Sequence, residues 1–197
     1  MGGKEIMRGV ITIDLGGACG PGDRCLTGSR DGDGAHARRG GREQRVAPPF
    51  DLAHEDYQGM IDLNLHGVVN TCRAAVPGLW DRRWGRVVNI ATVALDTPAP
   101  RFAAYAASKG AMVALSRNLA LELGPDGVTV NVVAPGWIAT PRAASAPRED
   151  LERLIVTTPL GYQGRPEHIA GAVLFYASPL ADFVSRTYLP VSGGHDL

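Results

Sequence analysis

Apolar residues occur along this chain in short runs, separated by longer stretches in which apolar positions recur at helical spacing. The short runs share β-branched residues and boundaries of Gly, Pro or polar residues, which is the pattern of buried strands. They are residues 9–14, 87–90, 128–134 and 187–191. The longer, helical stretches are residues 52–79, 102–124 and 166–177. Strands that alternate with helices predict an α/β fold built on a parallel sheet.

Residues at the ends of these elements support the predicted bounds. Asp51 precedes the first helix and is of a type that caps helix N-termini. Pro166 and Glu167 open the last helix, where a proline and an acidic residue are both favourable. Pro135 and Gly136 end the strand over residues 128–134 at the carboxyl edge of the predicted sheet.

Three side chains with complementary chemistry lie around the second strand and the helix that follows it. Thr92 comes just after the strand, and the helix that begins near Phe102 contains Tyr105 and Lys109. Residues four apart on a helix share one face. The carboxyl ends of parallel strands are where α/β proteins place their ligands. The pattern therefore predicts a phenol, an ammonium and a hydroxyl at one edge of the sheet.

The chemical use of this trio is proton transfer. A free tyrosine has a pKa near 10, and a neighbouring cation favours the phenolate and lowers that pKa. The phenolate of Tyr105 could then accept a proton from an alcohol, or the phenol could donate one to a carbonyl. A Tyr-x-x-x-Lys spacing is weak by itself, since a surface lysine beside a half-buried tyrosine gives the same pattern.

Further segments strengthen the assignment because they occur together and in a fixed order. They are Asp62-Leu-Asn64-Leu-His-Gly67, residues 87–90, the Tyr105 and Lys109 pair, Asn131-Val-Val-Ala-Pro135-Gly136-Trp-Ile138-Ala-Thr140, residues 159–169 and Leu189-Pro-Val-Ser-Gly193-Gly194. With these motifs the chain resembles the short-chain dehydrogenase/reductase family over residues 46–195. The resemblance implies a Rossmann-like, doubly wound parallel sheet that is N-terminally incomplete here.

The resemblance also implies catalytic roles. Tyr105 would be the general acid/base, and Lys109 would lower its pKa and bind the nicotinamide ribose. Thr92 would position the substrate, although the family usually has Ser at this position and the extra methyl group stiffens χ1. Asn64 would complete a proton relay.

A nicotinamide cofactor, NAD or NADP, follows from the same resemblance. Its contacts would come from Tyr105 and Lys109 and from the segment after the third strand. In that segment lie Pro135 and Gly136, Ile138 beside the nicotinamide amide and Thr140 near the phosphates. The substrate would be a secondary alcohol or ketone, and residues 141–158 resemble the family's mobile substrate lid. The choice between NAD and NADP stays open.

The first part of the chain departs from this pattern. We expect one domain over residues 1–197, with residues 46–197 as the catalytic part and residues 8–45 atypical. Residues 16–45 contain nine Gly, six Arg and one large aliphatic residue, a composition that predicts disorder.

Two interpretations of the first strand compete. Gly16-x-x-x-Gly20-x-Gly22 follows it at the spacing of the family's phosphate-binding turn, which would make it the first strand of the fold. Alternatively, Asp14 ends the third strand, where an acidic residue lies beside the adenine. We favour the hypothesis that two βα units are missing and that the next has been replaced by sequence translated out of frame. An intact reading frame in the parent DNA would contradict this hypothesis.

Charge and cysteine content narrow the function classes. Twenty basic and twenty acidic residues balance, which argues against nucleic acid or an anionic membrane surface as a partner. Cys19, Cys25 and Cys72 form no metal-ligand pattern, so we predict no metal and a cytoplasmic location. The resemblance implies a homodimer or homotetramer through the Asn64 and Tyr105 helices. A second hypothesis is a catalytically silent remnant that only folds or dimerises.

Overall fold

The computed structural model describes residues 10–13, 50–140, 143 and 147–195, with the backbone alone for residues 10–13. The strands are β1 (Val10–Ile13), β2 (Gly85–Ile90), β3 (Val128–Pro135) and β4 (Tyr188–Val191). The helices are α1 (His54–Ile61), α2 (Gly67–Trp80), α3 (Ala103–Leu123), α4 (Arg148–Thr157) and α5 (Pro166–Ala177). The described strands form one parallel sheet in the order β1-β2-β3-β4. The predicted α/β fold and the predicted elements are confirmed, with bounds that agree within two residues.

Helices cover both faces of this sheet. Alternate residues of β3 pack on one face against a core cluster with Val68, Cys72 and Met112 from α2 and α3. The opposite face packs against α5 through Ile169 and Tyr176. Every residue of β2 is buried, as expected of a parallel strand covered on both faces. This arrangement leaves the carboxyl edge of β2 and β3 as the place for a site.

The position of β1 differs from both interpretations of the first strand. Val10 pairs with Arg86 and Ile13 with Asn89, so β1 lies directly beside β2. In the doubly wound order 3-2-1-4-5-6 a fourth strand separates the fifth strand from both the first and the third. β2 corresponds to the fifth strand of that order, and it has β1 on one edge and β3 on the other. No fourth strand therefore separates β1 from β2. β1 is neither the first nor the third strand of the fold, so both interpretations are wrong. Asp14 and residues 16–45 lie outside the described residues.

The helix predicted over residues 52–79 is continuous but contains an irregular turn. α1 and α2 are joined by a π-helical turn, Asp62–His66. Such turns widen the helix by one residue and occur frequently at functional sites. The predicted cap is wrong: Ala53 takes the N-cap position with extended backbone, and no side chain caps the helix.

The segment predicted as a substrate lid contains a helix. α4 occupies Arg148–Thr157, while residues 141–142 and 144–146 lie outside the described part. After α4, the Leu160 amide donates to the Gly193 carbonyl over 3.1 Å, which ties this segment to the turn that follows β4. No helix within the described ranges has the length and apolar character needed to cross a membrane.

Candidate active site

Lys109 lies at the carboxyl end of β2. The residue is only 3% exposed, and its Nζ donates to the Ile90 carbonyl over 2.7 Å. A buried ammonium is costly without acceptors, so this bond fixes the cation at the strand end. Tyr105 lies one turn earlier on α3 and is half-buried, with the Phe102 ring packed edge-on at a centroid distance of 6.2 Å.

Thr92 follows β2 by two residues and shapes the turn after it. Its backbone is extended, and its Oγ1 accepts from the Ala94 amide over 3.2 Å, capping the 3₁₀ turn Val93–Leu95. The Thr92 carbonyl accepts from the Tyr188 phenol over 2.8 Å. Thr92 is therefore held at both its hydroxyl and its carbonyl.

Tyr188, which the motifs did not identify, bridges β4 and this turn. Its Oη also lies 2.7 Å from Asp96 Oδ2. Burial, followed by the hydrogen bond to Asp96, raises the pKa of the Tyr188 phenol above its ordinary value. The phenol thus stays protonated, and its single proton is shared between the Thr92 carbonyl and the Asp96 carboxylate.

Asn64 lies in the π-helical turn and reaches α3 through a second residue that the motifs did not identify. Its side chain is 4% exposed, and its Nδ2 donates to Ser108 Oγ over 3.0 Å. Ser108 Oγ in turn donates to the Tyr105 carbonyl over 2.8 Å. The structure therefore connects Asn64 to the helical turn that carries Tyr105 and Lys109. The only signal for Ser108 in the sequence is its place between those two residues.

The predicted cofactor segment leaves β3 at the same edge of the sheet and is held by backbone contacts. The Gly136 amide donates to the Val191 carbonyl over 3.0 Å, and a Cβ at Gly136 would lie 2.7 Å from Ser192 Cα. Only glycine permits this approach of the two backbones. Pro135, the last residue of β3, is half-buried.

The rest of this segment is fixed by a second pair of backbone contacts. Ile138 is buried and forms a parallel bridge with Gly164, with the Ala139 amide donating to the Gly164 carbonyl over 2.8 Å. Thr140 Oγ1 accepts from the Ala143 amide over 3.2 Å. The segment over residues 135–140 therefore has a defined path beside the end of β2.

The predicted site residues thus divide into three groups. The first group lies around α3 and the end of β2. Hydrogen bonds through Ser108 connect Asn64 to the turn of α3 that carries Tyr105 and Lys109, and Thr92 follows β2. Pro135, Gly136, Ile138 and Thr140 lie after the neighbouring strand, at the same edge. Asp14 lies outside the described residues. Within the described ranges no three His, Cys, Asp or Glu side chains converge in the way a metal site requires.

Comparisons with known proteins agree with this geometry. A family model described as enoyl-(acyl carrier protein) reductase matches residues 36–196. The chain is 42% identical over 159 residues to 3β-hydroxysteroid dehydrogenase 1 of Eggerthella lenta, covering 77% of this chain and 60% of that protein.

Two solved structures show the same fold. A 3-oxoacyl-[acyl-carrier protein] reductase with bound NAD from Brucella melitensis superposes with a TM-score of 0.71 at 34% identity, over 77% of this chain and 56% of that one. A gluconate 5-dehydrogenase from Burkholderia cenocepacia in complex with NADP and tartrate gives 0.73 at 33% identity, over 77% and 60%.

The chain spans about three fifths of the length of the curated relatives it matches. The match to the family model covers most of the sequence and includes every described residue of the candidate site. The chain belongs to the short-chain dehydrogenase/reductase family.

Proposed function

We propose that this chain carries the catalytic part of an NAD(P)-dependent oxidoreductase, which transfers a hydride between the cofactor and a secondary alcohol or ketone with Tyr105 as general acid/base. The observation that carries the proposal is the buried residue Lys109, which is 3% exposed and donates from its ammonium group to the end of β2, one helical turn from Tyr105. A cation in this position favours the phenolate form of a nearby tyrosine.

The described residues fit the nicotinamide end of such a cofactor. Two buried polar atoms, Asn64 Oδ1 and Trp137 Nε1, have no hydrogen-bond partner in the described part of the chain, so hydrogen-bonding capacity is available beside both groups of site residues. Lys109 and Tyr105 would hold the ribose. Pro135, Gly136, Ile138 and Thr140 would line the nicotinamide and its phosphates. When bound, the cofactor supplies or accepts the hydride.

The residues of this chain would move the proton. In oxidation, the Tyr105 phenolate accepts the proton of the substrate hydroxyl; in reduction, the phenol donates it to the carbonyl oxygen. Lys109 stabilises the phenolate, and Asn64 belongs to the relay that exchanges its proton with solvent.

Thr92 would orient the substrate oxygen. Since its Oγ1 accepts from the Ala94 amide, the hydroxyl proton is not needed for that bond. It can be donated to the substrate oxygen that faces Tyr105. The extended backbone at Thr92, with φ −165° and ψ 144°, and the bond to its carbonyl hold this hydroxyl in place.

The relatives act on chemically different substrates, as their names state: a 3β-hydroxysteroid, a 3-oxoacyl carrier protein and gluconate. What these substrates share is a secondary alcohol or the corresponding ketone. We therefore propose this functional group as the substrate class and no narrower one.

A homodimer or homotetramer is part of the proposal. The outer faces of α1, α2, α3 and the π-helical turn expose large apolar side chains, which a second copy would cover. These are Tyr57, Leu63, Trp80 and Leu121, each more than 40% exposed. A cytoplasmic location stays a prediction.

The test combines cofactor binding with turnover. We expect NADH or NADPH to bind saturably, as followed by cofactor fluorescence, in both the wild type and Tyr105→Phe. Turnover on a panel of secondary alcohols should fall at least about 100-fold in that variant, since acid–base catalysis contributes roughly 10²–10⁴-fold. Tyr162→Phe, at a residue 48% exposed, is the matched control and should keep its rate. Flat fluorescence up to millimolar cofactor would instead support the catalytically silent module.

A further inference from the structure

Ser108 occupies a place that the proposed function leaves without a role. It lies between Tyr105 and Lys109 on α3, and its side chain is fully buried at 0% exposure. Its Oγ accepts from Asn64 Nδ2 and donates to the Tyr105 carbonyl. Both partners belong to the proton-transfer group, so Ser108 connects them directly.

The single proton of the Ser108 hydroxyl determines the direction of this chain of bonds. A carbonyl oxygen can only accept, so the hydroxyl must donate to the Tyr105 carbonyl. Ser108 Oγ can then only accept from Asn64, which must present its NH₂ group. The amide of Asn64 is thereby fixed in one of its two orientations, with Oδ1 turned away from Ser108.

The orientation has a consequence for Asn64 Oδ1. This oxygen is inaccessible to solvent and has no hydrogen-bond partner in the part of the chain that the structure describes. Buried acceptors in native proteins are nearly always satisfied by protein or ordered water. A donor is therefore required at this point, next to the turn that carries Tyr105 and Lys109.

We propose that Ser108 is a positioning residue of the active site, which orients the Asn64 amide so that its Oδ1 binds an ordered water beside the Tyr105–Lys109 turn. The inference rests on the proposed function for its kinetic consequence, but the orientation of Asn64 can be measured without any turnover.

The chain offers a matched control on the same helix. Ser116 is also buried, accepts from Asn89 Nδ2 over 2.7 Å and donates to the Met112 carbonyl over 2.8 Å. Removing either hydroxyl leaves one buried asparagine NH₂ without its acceptor, so the folding cost of the two changes is comparable. Only Ser108 contacts the proton-transfer group.

The experiment compares Ser108→Ala, Ser108→Thr and Ser116→Ala. In the first arm, NMR follows the side-chain NH₂ signals of Asn64 in the full chain. We expect Ser108→Ala to shift these signals and speed their hydrogen exchange at least about tenfold. Ser108→Thr, which keeps a hydroxyl able to bond the preceding turn, should preserve them. Asn64 signals that do not respond to Ser108→Ala, or that respond equally to Ser116→Ala, would overturn the proposal.

In the second arm, turnover is measured against pH. Ser108→Ala should lower kcat about 10- to 100-fold, since a misplacement of about 1 Å near the reacting groups can cost 100-fold, and shift the pH at which the rate is half-maximal. The KM for the cofactor should stay within about twofold. Ser116→Ala should leave the pH profile unchanged, and an equal shift in both variants would overturn the positioning role. A wild type without turnover would refute the proposed function alone, and the NMR arm would still decide the orientation of Asn64.

Discussion

The two halves of α3 contain the same arrangement of polar groups in different surroundings. In the first half, residues 103–111, Ser108 accepts from an asparagine of the neighbouring helix and donates to a backbone carbonyl. In the second half, residues 112–123, Ser116 does the same with an asparagine of β2. In both pairs the asparagine Oδ1 has no partner within the described residues.

The difference between the halves lies in what surrounds each pair. Ser108 is followed by the buried ammonium of Lys109 and preceded by Tyr105, at the carboxyl edge of the sheet. Ser116 lies among core residues such as Met112 and Ala120. A buried amide–hydroxyl pair is therefore a way of satisfying polar groups between elements. It is a candidate for a functional site only where titratable groups lie beside it.

The largest loss of stability is expected from Asn89→Asp, which changes the asparagine bonded to the second half of α3. Asn89 is 0% exposed, so the new carboxylate would be buried without a cation, at a cost of about 3–5 kcal/mol at pH 7. Burial raises the pKa of such a carboxyl above its unfolded value of about 3.9. The penalty should therefore appear as the pH rises above about 4 and be largely absent below it. Urea unfolding of the wild type and the variant at pH 7 measures the penalty, and the same experiment at pH 4 measures how much of it disappears.

Asn118→Asp is the control for this prediction. Asn118 is exposed on the same half of the helix, and its Nδ2 donates to the Ala114 carbonyl over 2.9 Å. We expect this substitution to cost less than about 1 kcal/mol. Equal losses of stability at the two positions would contradict the burial of Asn89 and the difference in surroundings between the two halves of α3.

Much of the first half could be predicted from the sequence, because its chemistry follows from spacing. Tyr105 and Lys109 are four residues apart on a clear helix, and Thr92 follows a clear strand, so their approximate placement needs no tertiary information. Ser108 and Tyr188 were not predicted, because their roles depend on partners 44 and 96 residues away. A serine beside a lysine, or a tyrosine at the start of a strand, belongs to no sequence pattern that predicts such distant partners.

Two features of the fold could not be predicted for a similar reason. The π-helical turn around Asn64 changes the hydrogen-bond ladder by one residue without a break in the apolar pattern. The pairing of β1 with β2 depends on which strand edge is available, and a short apolar run has no residue that specifies its neighbour. Local pattern thus gives the elements, whereas strand order is a property of the assembled sheet.

A smaller loss of stability is expected from Tyr188→Phe, at the point where the two halves of α3 meet. Tyr188 borders a surface cleft with Gly110, Val113 and Arg117 of α3, and its phenol bonds the Thr92 turn. Loss of this hydroxyl should lower the free energy of unfolding by about 1 kcal/mol, the usual net value of a hydrogen bond. Urea unfolding of Tyr188→Phe against Tyr57→Phe, at a residue 41% exposed, measures the difference.

The wild type and Tyr188→Phe together test the pKa of Tyr188. Burial and the bond to Asp96 raise this pKa above the unfolded value of about 10. The phenol therefore contributes its full stability below pH 10 and loses it progressively as the pH rises further. The wild type should lose its advantage over Tyr188→Phe above pH 10. A constant difference between the two proteins up to pH 11 would contradict the raised pKa.

The smallest effect is a gain, from Gly110→Ala in the first half of α3. A Cβ at Gly110 would have Leu95 Cδ2 as its nearest neighbour at 3.7 Å, an ordinary contact, and alanine is favoured over glycine inside a helix by about 0.5–1 kcal/mol. We expect unfolding to require that much more free energy, measured at a concentration at which the chain is monomeric. Gly136→Ala is the control. Its Cβ would meet Ser192 Cα at 2.7 Å, so this substitution should destabilise the chain.

Two other outcomes of Gly110→Ala would be informative. A more stable monomer that associates more weakly in sedimentation would mean that the small residues of this half form the contact between copies. A less stable monomer would contradict the open space beside Gly110.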